Sequence, residues 1–205
     1  MQTSRRWKGL RREVETLRRQ FLPDPFDPLG IYANATLTQA RTRGFLVLSH
    51  AEVESYLEEW AKEIARAADV VWSASGRVST PLVFLLGTLG ERIDPKGKDS
   101  PQKLADASKK VFQRFYRQIK DNNGIRETNV LTLFAPLGVP ATVLGPALVL
   151  GLDNFAGIRG THAHHSAKAV VSVLDPEMEY KRVTGLVGDL MALDQWLVKY
   201  RRAIR

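Results

Sequence analysis

Apolar residues recur at three- and four-residue steps along most of this chain, the repeat of helices that bury one face. In residues 4–20 the stripe is Trp7, Leu10, Val14, Leu17 and Phe21, with basic residues over much of the remaining surface. The proline-punctuated FLPDPFDPLG at 21–30 cannot continue that helix and reads as a connector. From about Ala33 to Ser73, the residues Phe45, Leu48, Val53, Leu57, Trp60, Ile64 and Val71 hold one stripe with no proline and only Gly44 inside. This predicts a long core helix. Gly76 to Ser100 is broken by Pro81, Gly87, Gly90, Pro95 and Gly97, and reads as irregular, with Leu82–Leu86 a short buried helix or strand. Such a stretch serves as a lid, a substrate contact or a plain surface insertion. Ser100-Pro101 opens a helix to about Asp121, with Leu104, Ala107, Val111, Phe115 and Ile119 as its stripe and Asn122-Asn123-Gly124 as its stop. A short helix over Ile125–Leu137, a partly helical apolar segment over Pro146–Ile158 and a last helix from Asp175-Pro176-Glu177 to about Arg202 complete the chain. Strand alternation is weak and no repeat stands out. The fold class is therefore all-α, a bundle with a long central helix and an extra basic N-terminal helix. Residues 1–30 hold the basic helix and its connector, and 31–205 the helical domain.

Composition narrows this picture. A hydrophobic share of 44% in 205 residues suffices for a packed core. The absence of cysteine excludes disulfides and thiolate metal sites and fits a reducing compartment. The first residues, MQTSRRWKGLRREVETLRRQ, lack the apolar core of a secretory signal. The apolar runs Pro81–Leu89 and Pro136–Leu152 are short or broken by proline and glycine, unlike membrane spans. A soluble, cytoplasmic protein is expected. The net charge of +8 favours anionic partners, nucleic acid above all. Arg5, Arg6, Lys8, Arg11 and Arg12 are the candidate nucleic-acid contacts. The competing reading is a solvated helix docked on its own core or on a partner subunit.

The candidate chemistry lies in Arg159-Gly160-Thr161-His162-Ala163-His164, with His165 behind it. Arginine grips phosphate with a planar, permanently cationic fork, and histidine takes and gives protons near neutral pH. RNA is cut without a metal when a base takes the 2′-hydroxyl proton, a cation stabilises the charge on phosphorus and an acid protonates the leaving 5′-oxygen. One Arg159 and one His164 make a thin site, and two copies across a two-fold axis would supply two of each. On a regular helix these residues stand about 140° apart. Gly160 relaxes the backbone, so the motif is expected to span a loop and the start of the next helix. On the long helix, Arg43, His50 and Glu54 fall within about 40° of one another and form a polar seam beside the apolar stripe. Glu54 could orient Arg159 or a histidine through a charge-assisted hydrogen bond, or simply pair with His50.

These residues give the chain a resemblance to the HEPN family, and most to its RiboL-PSP-HEPN and related stand-alone bacterial branches. The resemblance rests on the Arg-x4-6-His motif at Arg159 and His164 and on Leu48-Ser49-His50-Ala51-Glu52-Val53-Glu54-Ser55-Tyr56-Leu57 of the long helix. It rests also on Asn122-Asn123-Gly124-Ile125 and on Leu152-Asp153 leading into Arg159. It covers roughly residues 33–200 and leaves out the arginine-rich first helix. Gly160 stands where family members often carry a polar residue. The resemblance implies a bundle of about four to five helices and a metal-independent endoribonuclease acting as a toxin or an antiphage defence effector. It implies an active site shared across a homodimer, with no cofactor and with an antitoxin or regulatory partner to be looked for. By the same resemblance Arg159 binds and orients phosphate, His164 transfers the proton and Glu54 supports them, with His165, His162 and His50 as further supporting residues.

Two other readings compete. His162, His164 and His165 form an H-x-H-H cluster of zinc or nickel character, whose fourth ligand would come from Asp153, Asp175 or Glu54. The chain could also be a non-catalytic nucleic-acid- or partner-binding module of a toxin–antitoxin system, or a structural protein dimerising through its first helix.

Overall fold

The computed structural model describes residues 3–91, 100–164 and 173–204, and the side chains of all of these except 100–102 and 159–164. Every regular element among the described residues is helical: α1 (Arg5–Phe21), α2 (Ala35–Ser75), α3 (Thr80–Leu89), α4 (Ser100–Lys120), α5 (Glu127–Phe134), α6 (Pro146–His164) and α7 (Pro176–Ala203). The all-α class is as expected. The helices sort into two compact units, both of which draw on α2 and α7.

The first unit holds residues 1–56, 125–127 and 145–195, and so contains α1, the first half of α2, α6 and most of α7. Helix α1 starts where Ser4 caps it: the Trp7 amide donates to Ser4 Oγ at 3.0 Å. Ser4 in turn donates twice to the fully buried Asp194, from its amide to Oδ2 at 2.7 Å and from its hydroxyl to Oδ1 at 2.5 Å. The Tyr56 hydroxyl donates to the same Oδ1 at 3.0 Å. A buried carboxylate with these donors has its hydrogen-bonding capacity used and ties α1, α2 and α7 to one point. The apolar stripe of α1 faces its own unit. Trp7, Leu10 and Val14 are buried, and Trp7 Nε1 donates to the Val187 carbonyl at 2.9 Å. The connector after α1 brings Phe21 against Gly44 of α2. A Cβ at that position would stand 2.9 Å from the Phe21 ring, which is the reason a glycine is kept inside a long helix despite its low propensity.

The second unit holds residues 57–124, 128–144 and 196–205. Leu57, Trp60, Ile64, Leu82, Leu85, Val111, Phe115, Ile119, Leu133 and Phe134 are buried in it. The stretch read as irregular from Gly76 to Ser100 contains the ten-residue helix α3. Pro81 stands in its first turn, where the missing amide costs nothing, so the proline starts this helix instead of breaking it. Of the remainder of that stretch, 92–99 lie outside the described residues. Gly138, at φ 77°, closes the turn after α5 against the Phe84 ring of α3. Tyr200 Oη donates to the Leu137 carbonyl at 2.6 Å, and burial pushes the phenol up to about 12.

Among the described residues no single helix is long and apolar enough to cross a membrane.

Candidate active site

The polar seam of α2 is present as the helical register requires. His50 is 2% exposed, one turn before Glu54, with Nδ1 3.8 Å from the carboxylate Oε2. At that distance the two groups are an ion pair whenever the imidazole is protonated, and they are too far apart for a direct hydrogen bond. The imidazole also meets Phe155 of α6, ring centroids 5.7 Å apart and planes tilted by 46°. The imidazole thus contacts both an apolar ring and a carboxylate. Glu54 keeps 18% of its side chain exposed, so its carboxylate reaches the surface of the unit.

This contact brings the seam to the helix that carries the motif. Arg159 follows Phe155 by four residues along α6, one helical turn. The helix continues through Gly160 and ends at His164, so the loop expected around Gly160 is replaced by helix. A single glycine costs a helix only about 1 kcal/mol, and Phe155 and Ala156, buried just before the motif, hold the preceding turn in register. Positions 159 and 164 therefore stand about 140° apart around one axis. The side chains of Arg159, His162 and His164, and the whole of His165, lie outside the described residues.

Two of the carboxylates considered as a fourth metal ligand act as helix caps, and the histidines of the cluster lie outside the described side chains. Asp153 accepts the Glu127 amide at 2.8 Å and caps α5. Asp175 caps α7, accepting the amides of Glu177 at 2.8 Å and Met178 at 3.1 Å. Glu54 faces His50. No group of three metal-ligating side chains converges among the described residues.

The five basic candidates on α1 do not form one patch. Arg5, Lys8 and Arg12 are exposed and, with Arg19, fall within about 60° around the helix axis. Weak surface ion pairs engage this stripe, Arg12 with Glu13 at 3.5 Å and Arg19 with Glu15 at 3.8 Å, and Arg19 Nε also donates to the Glu15 carbonyl at 3.3 Å. Arg11 instead lies over the Trp7 ring, 5.1 Å from its centroid, and Arg6 is half-buried on another face. Because the apolar stripe packs inside the unit, dimerisation through that stripe loses its surface. Glu52, between His50 and Glu54 in sequence, points elsewhere. Partial burial first, and the Glu13 carboxylate second, hold its carboxyl above the usual range.

Sequence reasoning missed Phe155 and Asp194. Phe155 carried a signal, since it stands one turn before Arg159 on the same helix. Asp194 carried one too, as an acidic residue inside the buried run Leu190, Leu193 and Leu197. No family model matches the chain, and no curated protein or solved structure is similar to it.

Proposed function

We propose that this protein is a metal-independent endoribonuclease of HEPN type, acting as a toxin or a defence effector. The observation that carries the reading is the His50–Phe155 contact. It sets the Glu54-bearing seam of α2 beside the turn of α6 that leads into Arg159 and His164.

A histidine base takes the proton of a ribose 2′-hydroxyl. The freed oxygen attacks the adjacent phosphorus, and the bond from phosphorus to the 5′-oxygen breaks. A second histidine gives its proton to that oxygen. The products are a 2′,3′-cyclic phosphate and a 5′-hydroxyl, and DNA, which lacks the nucleophile, is spared. The Arg159 guanidinium neutralises the charge that grows on the phosphoryl oxygens. Each chain supplies one Arg159 and one His164, so the base and the acid come from two copies and the active form is a homodimer. The roughly 140° between the two positions on one helix supports this, because a lone α6 does not present both to one phosphate. The basic stripe Arg5, Lys8, Arg12 and Arg19 supplies an electrostatic hold on the RNA backbone.

Purified protein is incubated with single-stranded RNA in excess EDTA, beside Arg159→Ala and His164→Ala. Cyclic-phosphate products from the wild type alone are expected. Cleavage that survives both substitutions, or that needs a metal, refutes the reading. RNA binding without cyclic-phosphate product favours the non-catalytic module instead.

A further inference from the structure

The second unit carries a pocket of about 740 Å³ between the end of α2 and α4. That volume suits a small organic molecule, whose sites run to about 300–1,000 Å³. Asp69, Trp72, Ser73 and Gly76 form one wall, at the steps of one face of α2. Ala105, Lys109, Phe112 and Tyr116 form the other, at the steps of one face of α4. The two helices run antiparallel here. Asn122 Nδ2 donates to Glu58 Oε1 at 3.1 Å, the Asp69 carboxylate acts on the Tyr116 phenol, and Gly76 and Ala105 line the same pocket beyond them.

The lining says which ligand. Trp72 and Tyr116 are half-buried. Among the described residues the Trp72 indole nitrogen and the Tyr116 hydroxyl have no hydrogen-bond partner, and neither atom is sealed from solvent. The indole of Trp7 and the phenols of Tyr56, Tyr180 and Tyr200 all donate to protein acceptors, as such groups usually do when buried. Burial first, and the Asp69 carboxylate second, hold the Tyr116 phenol above its usual range against the opposing effect of Arg66, so it stays a neutral donor. Two aromatic rings with unused donors suit a flat heteroaromatic molecule that carries acceptor atoms. Charge decides what else that molecule carries. Asp69 is the one carboxylate of the lining, and it already accepts from the Ser73 hydroxyl at 3.3 Å. An organic cation would meet two like charges, Lys109 in the pocket and Arg66 beside Tyr116. An anionic group instead finds the exposed Lys109 ammonium, with which no carboxylate pairs among the described residues. A stacking heteroaromatic ring joined to an anionic phosphate is a nucleotide.

We propose that this pocket takes one nucleotide of a single-stranded RNA, its base on the Trp72 and Tyr116 rings and its phosphate on Lys109. Only an unpaired base offers a free ring face, so the strand is single. The proposal rests on the ribonuclease reading for the identity of the polymer. Trp72, Tyr116 and Lys109 bind the strand and take no part in proton transfer.

The test uses two labelled 2′-O-methyl single strands of equal length, one with bases and one abasic throughout, neither of which can be cleaved. Each is titrated into full-length wild-type, Trp72→Leu, Trp72→Phe and Lys109→Gln proteins over a range of salt. Fluorescence anisotropy reads Kd, and thermal melts read Tm. Wild type is expected to bind the base-bearing strand about tenfold more tightly than the abasic one. Trp72→Leu loses that factor and leaves the abasic affinity unchanged, while Trp72→Phe keeps most of it. Lys109→Gln weakens both strands and reduces the slope of log K against log salt by about 0.7, the share of one phosphate on a single strand. Equal affinity of Trp72→Leu and wild type for the base-bearing strand overturns the proposal. So does a loss in Trp72→Leu that is the same for both strands, which marks a structural tryptophan, and so does a wild type that binds neither strand. Where Trp72→Leu melts below the assay temperature, the wild type and Lys109→Gln decide: equal wild-type affinity for the two strands, or an unchanged salt slope in Lys109→Gln, overturns the proposal. Adenosine monophosphate is titrated beside the strands, and tighter binding of it than of the base-bearing strand assigns the pocket to a free nucleotide and overturns the RNA assignment. Binding that depends on Trp72, without cleavage of unmodified RNA, refutes the ribonuclease reading and leaves the pocket standing. Cleavage that needs Arg159 and His164, with binding indifferent to Trp72 and Lys109, does the reverse.

Discussion

The Ser4 hydroxyl donates to Asp194 Oδ1 at 2.5 Å, joining the first residue before α1 to the buried face of α7. The same oxygen accepts from Tyr56, so one carboxylate organises three helices of its unit. Asp194→Ala leaves the part-buried Ser4 amide and hydroxyl and the buried Tyr56 hydroxyl without their acceptor, at about 1–3 kcal/mol for a buried donor left unmade. Urea denaturation is expected to show a loss of about 3 kcal/mol or more, and Ser4→Ala a smaller loss of about 1 kcal/mol, typical of a removed helix cap. Equal stability of Asp194→Ala and wild type would show that the carboxylate is not the anchor.

On the proposed reading, Glu54 and His50 support the motif without being its reacting groups. Glu54→Gln keeps the shape and removes the charge that faces the imidazole. The expected result is about a tenfold fall in kcat for RNA cleavage with KM nearly unchanged, against a fall of about 10²–10⁴ for His164→Ala, the usual range for a lost proton-transfer group. A Glu54→Gln enzyme with wild-type kcat would reduce the pair to an intrahelical contact.

The basic stripe of α1 makes a separable prediction. Arg5, Lys8 and Arg12 are exposed, so replacing all three with alanine leaves Tm within about 1–2 °C of wild type, as surface substitutions do. Affinity for RNA falls, and the salt slope flattens by about 2, three phosphate contacts at about 0.7 each. A slope equal to that of wild type would remove α1 from the RNA path.

Tyr200 contributes to the alkaline pH dependence of the second unit. Its phenol ionises near 10 in the unfolded chain and only at about 12 in the fold, where burial opposes the charge. Between these values the unfolded chain has lost the proton and the folded one has kept it, so stability is full below pH 10 and falls as pH rises toward 12. Denaturation midpoints measured from pH 9 to 12 are expected to decline over that window. Tyr200→Phe is expected to show a smaller decline, although it starts lower because the Leu137 carbonyl loses its donor.

The elements were legible because each one carries its own instruction. Trp7, Leu10 and Val14 repeat at helical steps, Asn122-Asn123-Gly124 stops α4, and Asp175-Pro176 starts α7, all through local physics of capping and burial. Pro81 left helix and strand open for Leu82–Leu86, because the same ring that breaks a helix interior suits a first turn, and the structure has the helix, longer than that run. Gly160 misled, since its permissive backbone follows whatever the preceding turn imposes, and Phe155 and Ala156 impose helix.

The sequence alone determined an all-α chain, a basic first helix, and a seam of Arg43, His50 and Glu54 along α2, because helical periodicity places residues around an axis. It could not place one axis against another. That Phe155 meets His50, that Gln39 holds Leu174, that Trp7 of α1 reaches Val187 and that Ser4 reaches Asp194 were decided only by tertiary packing. Each depends on residues far apart in the chain competing for the same buried space and the same hydrogen-bond partners.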